Sequence, residues 1–204
     1  SANILQDNVP ESVGRLIPGV EARLGADGEL LVRGPNVMLG YWNAAAKTRE
    51  TVDAEGWLHT GDIGRFDEAG HLSIAGRLKE ILVTSTGEKV PPADVEMAIT
   101  EDPLFEQAMV VGEMRPFISA LVVLAAQGWA SLAAELGLDP AESGALHSEA
   151  VTAAALGRIE RRVEGFPSYA RVRAVWLTLE PWTVANGLLT PTLKLRRRPI
   201  EEQF

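Results

Sequence analysis

The chain has 204 residues, 46% apolar and 23% charged, which is the make-up of a folded globular protein and excludes a disordered, collagenous or long coiled-coil chain. Nineteen Lys and Arg stand against 28 Asp and Glu, a net charge of −9, and this argues against non-specific nucleic-acid binding, which needs clustered cations to displace counterions. Cysteine is absent, so disulfides, thiolate metal sites and cysteine nucleophiles are excluded, and the scattered His59, His71 and His147 make a poor zinc set.

In chain order, Val20-Glu21-Ala22-Arg23-Leu24 alternates apolar and polar with period two and predicts a strand. Gly25-Ala26-Asp27-Gly28 reads as a turn, and Leu30-Leu31-Val32-Arg33-Gly34 as a second strand. A helix is expected over residues 44–51, then strands at 57–60 and 71–75 with Asp67-Glu68-Ala69-Gly70 as a hairpin turn. Short strands at this spacing predict a small antiparallel barrel or sheet, with Tyr41, Trp42 and Trp57 as packing residues. After Gly76 the character changes, which places a domain boundary at residues 75–77.

Beyond it, residues 80–84 read as a strand, 85–88 as a turn, and Pro91-Pro92-Ala93-Asp94 as the start of a helix to about Thr100. Strands over 107–112 and 118–125 are expected side by side, followed by helices over 128–136 and 148–165 and a strand over 174–179. The last twenty residues read as a loop and a basic tail. The longest charge-free stretch, 116–134, is interrupted by Pro116, Ser119, Gln127, Gly128 and Ser131 and changes period midway; it reads as a strand and a helix, not a membrane span. The whole is predicted as α+β.

Three segments carry candidate chemistry. In Gly56-Trp57-Leu58-His59-Thr60-Gly61-Asp62-Ile63-Gly64, Asp62 lies between glycines where a strand meets a turn. Its carboxylate could accept two hydrogen bonds from a vicinal diol; the same residues also suit an Asx-turn. In the run from Gly76 to Val90, Arg77 and Lys79 share one face if extended, Arg77 sits at the domain junction, and Gly87 permits close backbone approach; a plain charged hairpin fits equally. In Thr190-Pro191-Thr192-Leu193-Lys194-Leu195-Arg196-Arg197-Arg198, Lys194 is flanked by leucines; a solvated basic tail is the alternative.

Taken together, and with Gly28-Glu29-Leu30-Leu31-Val32-Arg33-Gly34 and Val37-Met38-Leu39-Gly40-Tyr41-Trp42 before them, these segments resemble the adenylate-forming superfamily of acyl/aryl-CoA synthetases and luciferases. The resemblance runs from about Gly14 to Arg198, and the 190–197 segment looks more narrowly like long-chain fatty-acid-CoA ligases. It implies a two-step reaction with ATP and CoA: a fatty acid is activated to acyl-AMP, then passed to CoA. By position, Asp62 matches the acid that holds both ribose hydroxyls and Arg77 the arginine that also contacts the ribose. Lys194 matches the lysine that touches the substrate carboxylate and α-phosphate. Gly87 lies on the loop that lines the pantetheine channel. Gly76 occupies the hinge position, where many relatives have Asp or Lys. Leu193 stands where many have Gly, and Glu96 matches a position read as structural.

The resemblance also implies that residues 1–75 are the C-terminal β-subdomain of a large domain and 76–204 a mobile C-terminal domain. No stretch of the 204 residues resembles the superfamily's phosphate loop, acyl pocket or Mg2+-binding glutamate segment. The chain is therefore expected to be a C-terminal piece, inactive alone, with Mg2+ bound through the missing N-terminal region. Expected partners are fatty acid, CoA and the missing domain, with peripheral membrane contact open and no nucleic acid. A cytoplasmic location is expected. Two other readings stand beside this one: a fatty acyl-AMP ligase loading a carrier protein, and a stand-alone non-catalytic module binding adenylate or a partner.

Overall fold

Alternation after Val20 does give a strand, but pairing begins at Glu21, and the structure, a computed structural model describing residues 1–4, 7–10, 12–142 and 144–204, divides into two compact units. The units are Ser1–Ile81 and Leu82–Phe204.

In the first unit, β1 (Glu21–Leu24), β2 (Glu29–Arg33), β3 (Leu58–Phe66) and β4 (Leu72–Arg77) form an antiparallel sheet in the order β1-β2-β3-β4. Asp27 and Gly28 turn β1 into β2 with φ of 58° and 77°, a left-handed pair that Asp and Gly tolerate. Helix α1 (Ala45–Thr51) lies between β2 and β3. The barrel alternative is corrected: β4 does not pair back to β1, and four strands are too few to curl into a closed barrel of ordinary tilt and stagger. Leu30, Leu31, Trp57 and Leu72 are its buried apolar centre.

A buried histidine fastens the N-terminal segment onto this sheet. His71, with its side chain 5% exposed, has Nδ1 2.9 Å from Asp67 Oδ2 and Nε2 2.8 Å from Asp7 Oδ1. Only the imidazolium donates from both nitrogens. Asp7 also accepts from Arg15 Nε, and Ala2 and Arg15 exchange backbone hydrogen bonds. The bond to Asp7, then that to Asp67, raises the His71 pKa above its ordinary value. The Asp7 carboxyl is lowered, by Arg15 first and then His71, and Asp67 by the His71 backbone N–H and then its ring.

The sign of the effect follows. A raised folded pKa stabilises fully below about pH 6.5 and the contribution is lost as pH climbs through the folded value. The two carboxylates contribute above about pH 4 and lose it as pH falls through their lowered values. Thermal melts from about pH 5 to 9 should therefore show wild type losing stability on the alkaline side. His71→Gln, which has no titrating ring, should be less stable at the acid end and flatter across the range. Parallel profiles for the two proteins would refute the imidazolium clasp.

The second unit opens with a small hairpin, β5 (Leu82–Val83) and β6 (Lys89–Val90), followed by α2 (Pro92–Thr100) with Pro92 at its first position. β7 (Phe105–Val111) and β8 (Ile118–Leu124) pair antiparallel. Helices α3 (Ala126–Glu135) and α4 (Glu149–Arg162) make the crossover to β9 (Val172–Thr178), which lies parallel to β8. Ser148 caps α4 by accepting from the Val151 N–H at 3.4 Å. On one face of this sheet, Val110, Ile118, Ala120 and Val122 pack with Val95 and Ile99 of α2 and Val151, Ala155 and Ile159 of α4. On the other, Met109 and Val123 pack with Trp182, Leu188, Leu189 and Ile200.

Two expectations change here and one holds. Residues 78–80 form a 3-10 turn, so the strand expected over 80–84 shrinks to Leu82–Val83, and Arg77 and Lys79 do not alternate along an extended chain. The 116–134 stretch is a strand and a helix as expected, and among the described residues no helix is long and apolar enough to cross a membrane. The final residues are not only a basic loop: Arg197–Gln203 is a helix, α5, with Ile200 fully buried. The arginine run hides the Ile200/Phe204 pair, which at a spacing of four puts two apolar side chains on one helix face.

Candidate functional site

In the first unit the candidates meet at the Asp62 end of the β3–β4 hairpin. Asp67-Glu68-Ala69-Gly70 makes the turn, with the Gly70 N–H donating to the Asp67 carbonyl at 3.0 Å. Pairing then runs Phe66 to Leu72, Arg65 to Ser73 and Gly64 to Ile74. Continued without interruption it would set Asp62 opposite Gly76. A bulge between Ile63 and Gly64 leaves Ala75 as an extra residue on β4, so Ile63 faces Gly76 and Asp62 faces Arg77. Arg77 Nε donates to Asp62 Oδ1 at 2.9 Å. The Asx-turn alternative for Asp62 is not what forms: Asp62 is a strand residue whose carboxylate takes the Arg77 guanidinium, while its own N–H donates to Thr60 Oγ1 at 3.0 Å.

The pair is half open, the Asp62 side chain 30% and the Arg77 side chain 57% exposed. An ion pair this accessible is weak and exchanges readily with a ligand. Gly61 beside it has φ 71°, and a Cβ there would touch nothing within 4 Å, so glycine serves the backbone and leaves open space over the strand. Arg77 and Lys79 line a cleft of about 570 Å³ together with Glu29, Tyr41, Lys47 and His59. Glu29 holds the 59–61 stretch in place: its Oε2 lies 2.9 Å from His59 Nδ1, and its Oε1 accepts the Gly61 N–H at 3.0 Å. Sequence reasoning missed both. Glu29 reads as one polar step in an alternating strand, and His59 lay inside a motif already in view without a role.

Of the aromatic residues expected to pack, Trp57 does, buried between the guanidinium carbons of Arg23 and Arg33 at 4.3 and 4.5 Å from the ring centroid. Tyr41 and Trp42 do not. Trp42 is 91% exposed, and Tyr41 is exposed with the Lys47 ammonium 4.6 Å above its ring. Both precede α1 outside the strands of the sheet, and their side chains stay on the surface. Gly76 lies within β4 at φ 145°, a backbone conformation that favours glycine.

In the second unit, Gly87 closes the β5–β6 turn at φ 85°, donating its N–H to the Thr84 carbonyl at 2.9 Å, and a Cβ there would meet nothing within 4 Å. Lys194 sits on a tight hairpin. Thr190 accepts the Leu193 N–H and donates to the Lys194 carbonyl, both at 2.8 Å, and Thr190 Oγ1 accepts the Lys194 N–H at 3.0 Å. Leu189 and Leu195 bridge below it. Leu193 is held at φ 61°, a left-handed position that costs a branched side chain about 1–2 kcal/mol. The Lys194 side chain is exposed, with no hydrogen bond or ion pair among the described residues. Glu96, on α2, accepts two bonds from Arg197 Nη2 at 2.8 and 2.9 Å. Among the described residues no group of three or more His, Asp or Glu side chains is placed to hold a metal ion.

The hairpin that carries Asp62 and Arg77 and the late turn that carries Lys194 are the segments through which the sequence resembles the adenylate-forming class. The chain belongs to the AMP-binding enzyme C-terminal domain family, whose profile matches residues 79–204. It is 38% identical over 197 residues to the long-chain-fatty-acid–CoA ligase FadD15 of Mycobacterium tuberculosis, covering 95% of this chain and 32% of that protein. The long-chain-fatty-acid–CoA ligase ACSBG1 of Bos taurus is 35% identical over 217 residues, covering 95% of this chain and 30% of the relative. The adenylation domain of a carboxylic acid reductase from Segniliparus rugosus, solved with AMP and a co-purified carboxylic acid, superposes with a TM-score of 0.71 at 26% identity, covering 96% of this chain and 29% of that one. The chain thus spans about a third of the length of the curated relatives it matches.

Proposed function

We propose that this chain is the C-terminal part of an AMP-forming long-chain fatty-acid–CoA ligase. Residues 1–75 would complete the large domain and residues 76–204 would carry the mobile domain with Gly76 as its hinge; Gly76 and Arg77 are here the last residues of β4, and the second compact unit begins at Leu82. In the first step a fatty-acid carboxylate oxygen attacks the α-phosphorus of ATP; the bond to the bridging oxygen breaks and pyrophosphate leaves. Negative charge gathers on the phosphoryl oxygens, and Lys194 supplies the compensating cation. A point charge on a flexible stem suits a group that must enter and leave the site. Asp62 accepts from the two ribose hydroxyls, and Arg77 contacts the same sugar. In the second step the CoA sulfur attacks the acyl carbon and the acyl–phosphate bond breaks. AMP departs and the thiol proton passes to solvent, with Gly87 lining the path of the pantetheine arm. Substrates are fatty acid, ATP and CoA; the partner is the remainder of the same polypeptide, with a cytoplasmic location as part of the reading. The Mg2+ that accompanies the triphosphate is assigned no ligand among these residues.

The observation that carries the proposal is the meeting of Asp62 and Arg77 as cross-strand partners beside an open cleft, brought about by a bulge that shifts the register of β3 and β4. The test is fatty-acid-dependent ATP–pyrophosphate exchange. The intact protein should catalyse it with a long-chain acid, and the 204-residue chain alone should remain at background. Exchange by the chain alone would refute the fragment reading, and no exchange by the intact protein with any fatty acid would refute the reaction.

A further inference from the structure

The Lys194 hairpin is tied at both legs to the same edge strand. Upstream, Gln107 of β7 clamps the backbone of Trp182: Gln107 Nε2 donates to the Trp182 carbonyl at 3.0 Å, and the Trp182 N–H donates to Gln107 Oε1 at 2.7 Å. Between the clamp and the hairpin, Arg196 Nη1 donates to the Gly187 carbonyl at 2.7 Å, and the Arg196 N–H to the Leu188 carbonyl at 2.9 Å. Downstream, Arg197 forks: Nη2 bonds both oxygens of Glu96, and Nη1 donates to the Val110 carbonyl of β7 at 3.1 Å. Glu96 Oε1 in turn accepts the Val110 N–H at 2.7 Å.

β7 is an edge of its sheet, so the outward backbone groups of Val110 have no strand to pair with. The Glu96 carboxylate and Arg197 guanidinium take the place of one, accepting from the N–H and donating to the C=O. Both side chains are largely covered, 12% and 24% exposed. An arginine fork fixed at both a carboxylate and a carbonyl defines direction as well as distance. It stands three residues after Lys194, whose own side chain has no such anchor.

We propose that Arg197, with Glu96, is a positioning residue for Lys194: it sets where the adenylation lysine is presented, without touching substrate. This rests on the reading of Lys194 given above. A bond that served only stability would affect every activity of the fold alike, whereas a positioning bond affects only the step that uses Lys194.

The experiment uses the intact ligase and measures the half-reactions separately, acyl-AMP formation by ATP–pyrophosphate exchange and thioester formation from preformed acyl-AMP and CoA. Arg197→Gln should lower the kcat of adenylation about 10- to 100-fold, the range expected for a displacement near 1 Å. KM for ATP and the thioester half-reaction should stay within about twofold. Arg197→Lys, which keeps the charge but cannot reach Glu96 and the Val110 carbonyl together, should fall between wild type and Arg197→Gln with the same split, and it decides the matter should Arg197→Gln lose its cooperative melt. Lys194→Ala is run alongside. If Lys194→Ala leaves adenylation intact, the reading of Lys194 has failed. If Lys194→Ala is defective but the Arg197 variants are not, or both half-reactions fall together in them, the positioning role is wrong and Arg197 only holds α5 to the sheet.

Discussion

If the intact protein is the ligase proposed, Lys194→Ala should lower its acyl-adenylate formation by about 10²–10³, the loss typical of one preorganised electrostatic group. Thioester formation from preformed acyl-AMP should be nearly unchanged. The hairpin makes this a clean substitution. Its turn is built from Thr190, Leu193 and the Lys194 backbone, and the Leu189/Leu195 bridge lies beneath it. The lysine side chain is exposed and takes no hydrogen bond or ion pair among the described residues, so removing it leaves no buried group unsatisfied. A drop in activity therefore reports on chemistry and not on folding. Under the proposed function the ammonium matters only where charge develops, as the carboxylate reaches phosphorus and pyrophosphate departs. In the second step the phosphoryl group leaves with AMP, and nothing there calls for Lys194. Equal losses in both half-reactions would contradict a lysine reserved for adenylation.

The fold was legible where local pattern and burial agree. Val110, Ile118, Ala120 and Val122 lie on apolar strand runs and are fully buried, and α4 shows its buried stripe at Val151, Ala155 and Ile159 in the sequence itself. It was not legible where a polar run overlies an apolar face. The Arg196-Arg197-Arg198 run reads as a solvated tail, yet Arg197 is half-buried on Glu96 and opens α5, whose Ile200 completes the second core face. Propensity could not supply that pairing, because its partners are 101 residues apart. The strand expected over 80–84 fell short for the opposite reason: Glu80-Ile81-Leu82-Val83 has strand composition, but only Leu82 and Val83 find a partner strand, the short β6.

The site was legible mainly through resemblance. Nothing in the composition of 56–64 or 76–90 favours a ligand over a turn. Even a correct hairpin at Asp67–Gly70 would have set Asp62 opposite Gly76, since regular pairing from Phe66 and Leu72 leads there. The extra residue Ala75 is a tertiary fact, and it decides which side chain Asp62 meets. Glu29 is a second example: its two bonds to His59 and Gly61 cross 30 and 32 residues and fix the backbone next to Asp62.

If Asp62 holds the ribose as proposed, Asp62→Ala in the intact protein should raise KM for ATP by about 10², because a carboxylate accepting from two hydroxyls makes charged hydrogen bonds of about 1.5–3 kcal/mol each, and part of that is regained by water. The fold should tolerate the change. The Asp62–Arg77 pair is open to solvent on both sides, and exposed pairs contribute about 1 kcal/mol or less. The strand register is carried by the backbone and the bulge, neither of which needs the carboxylate. A nucleotide lacking one hydroxyl supplies the internal control. Wild type should discriminate between ATP and its 2′-deoxy and 3′-deoxy analogues, while Asp62→Ala should treat the three nearly alike, since the partner of the missing hydroxyl is already gone. Asp62→Asn, which retains one acceptor oxygen but no charge, should lie between. If Asp62→Ala keeps the wild-type preference for the full ribose, the hydroxyls are held by another group, and the carboxylate facing Arg77 serves only to orient that arginine.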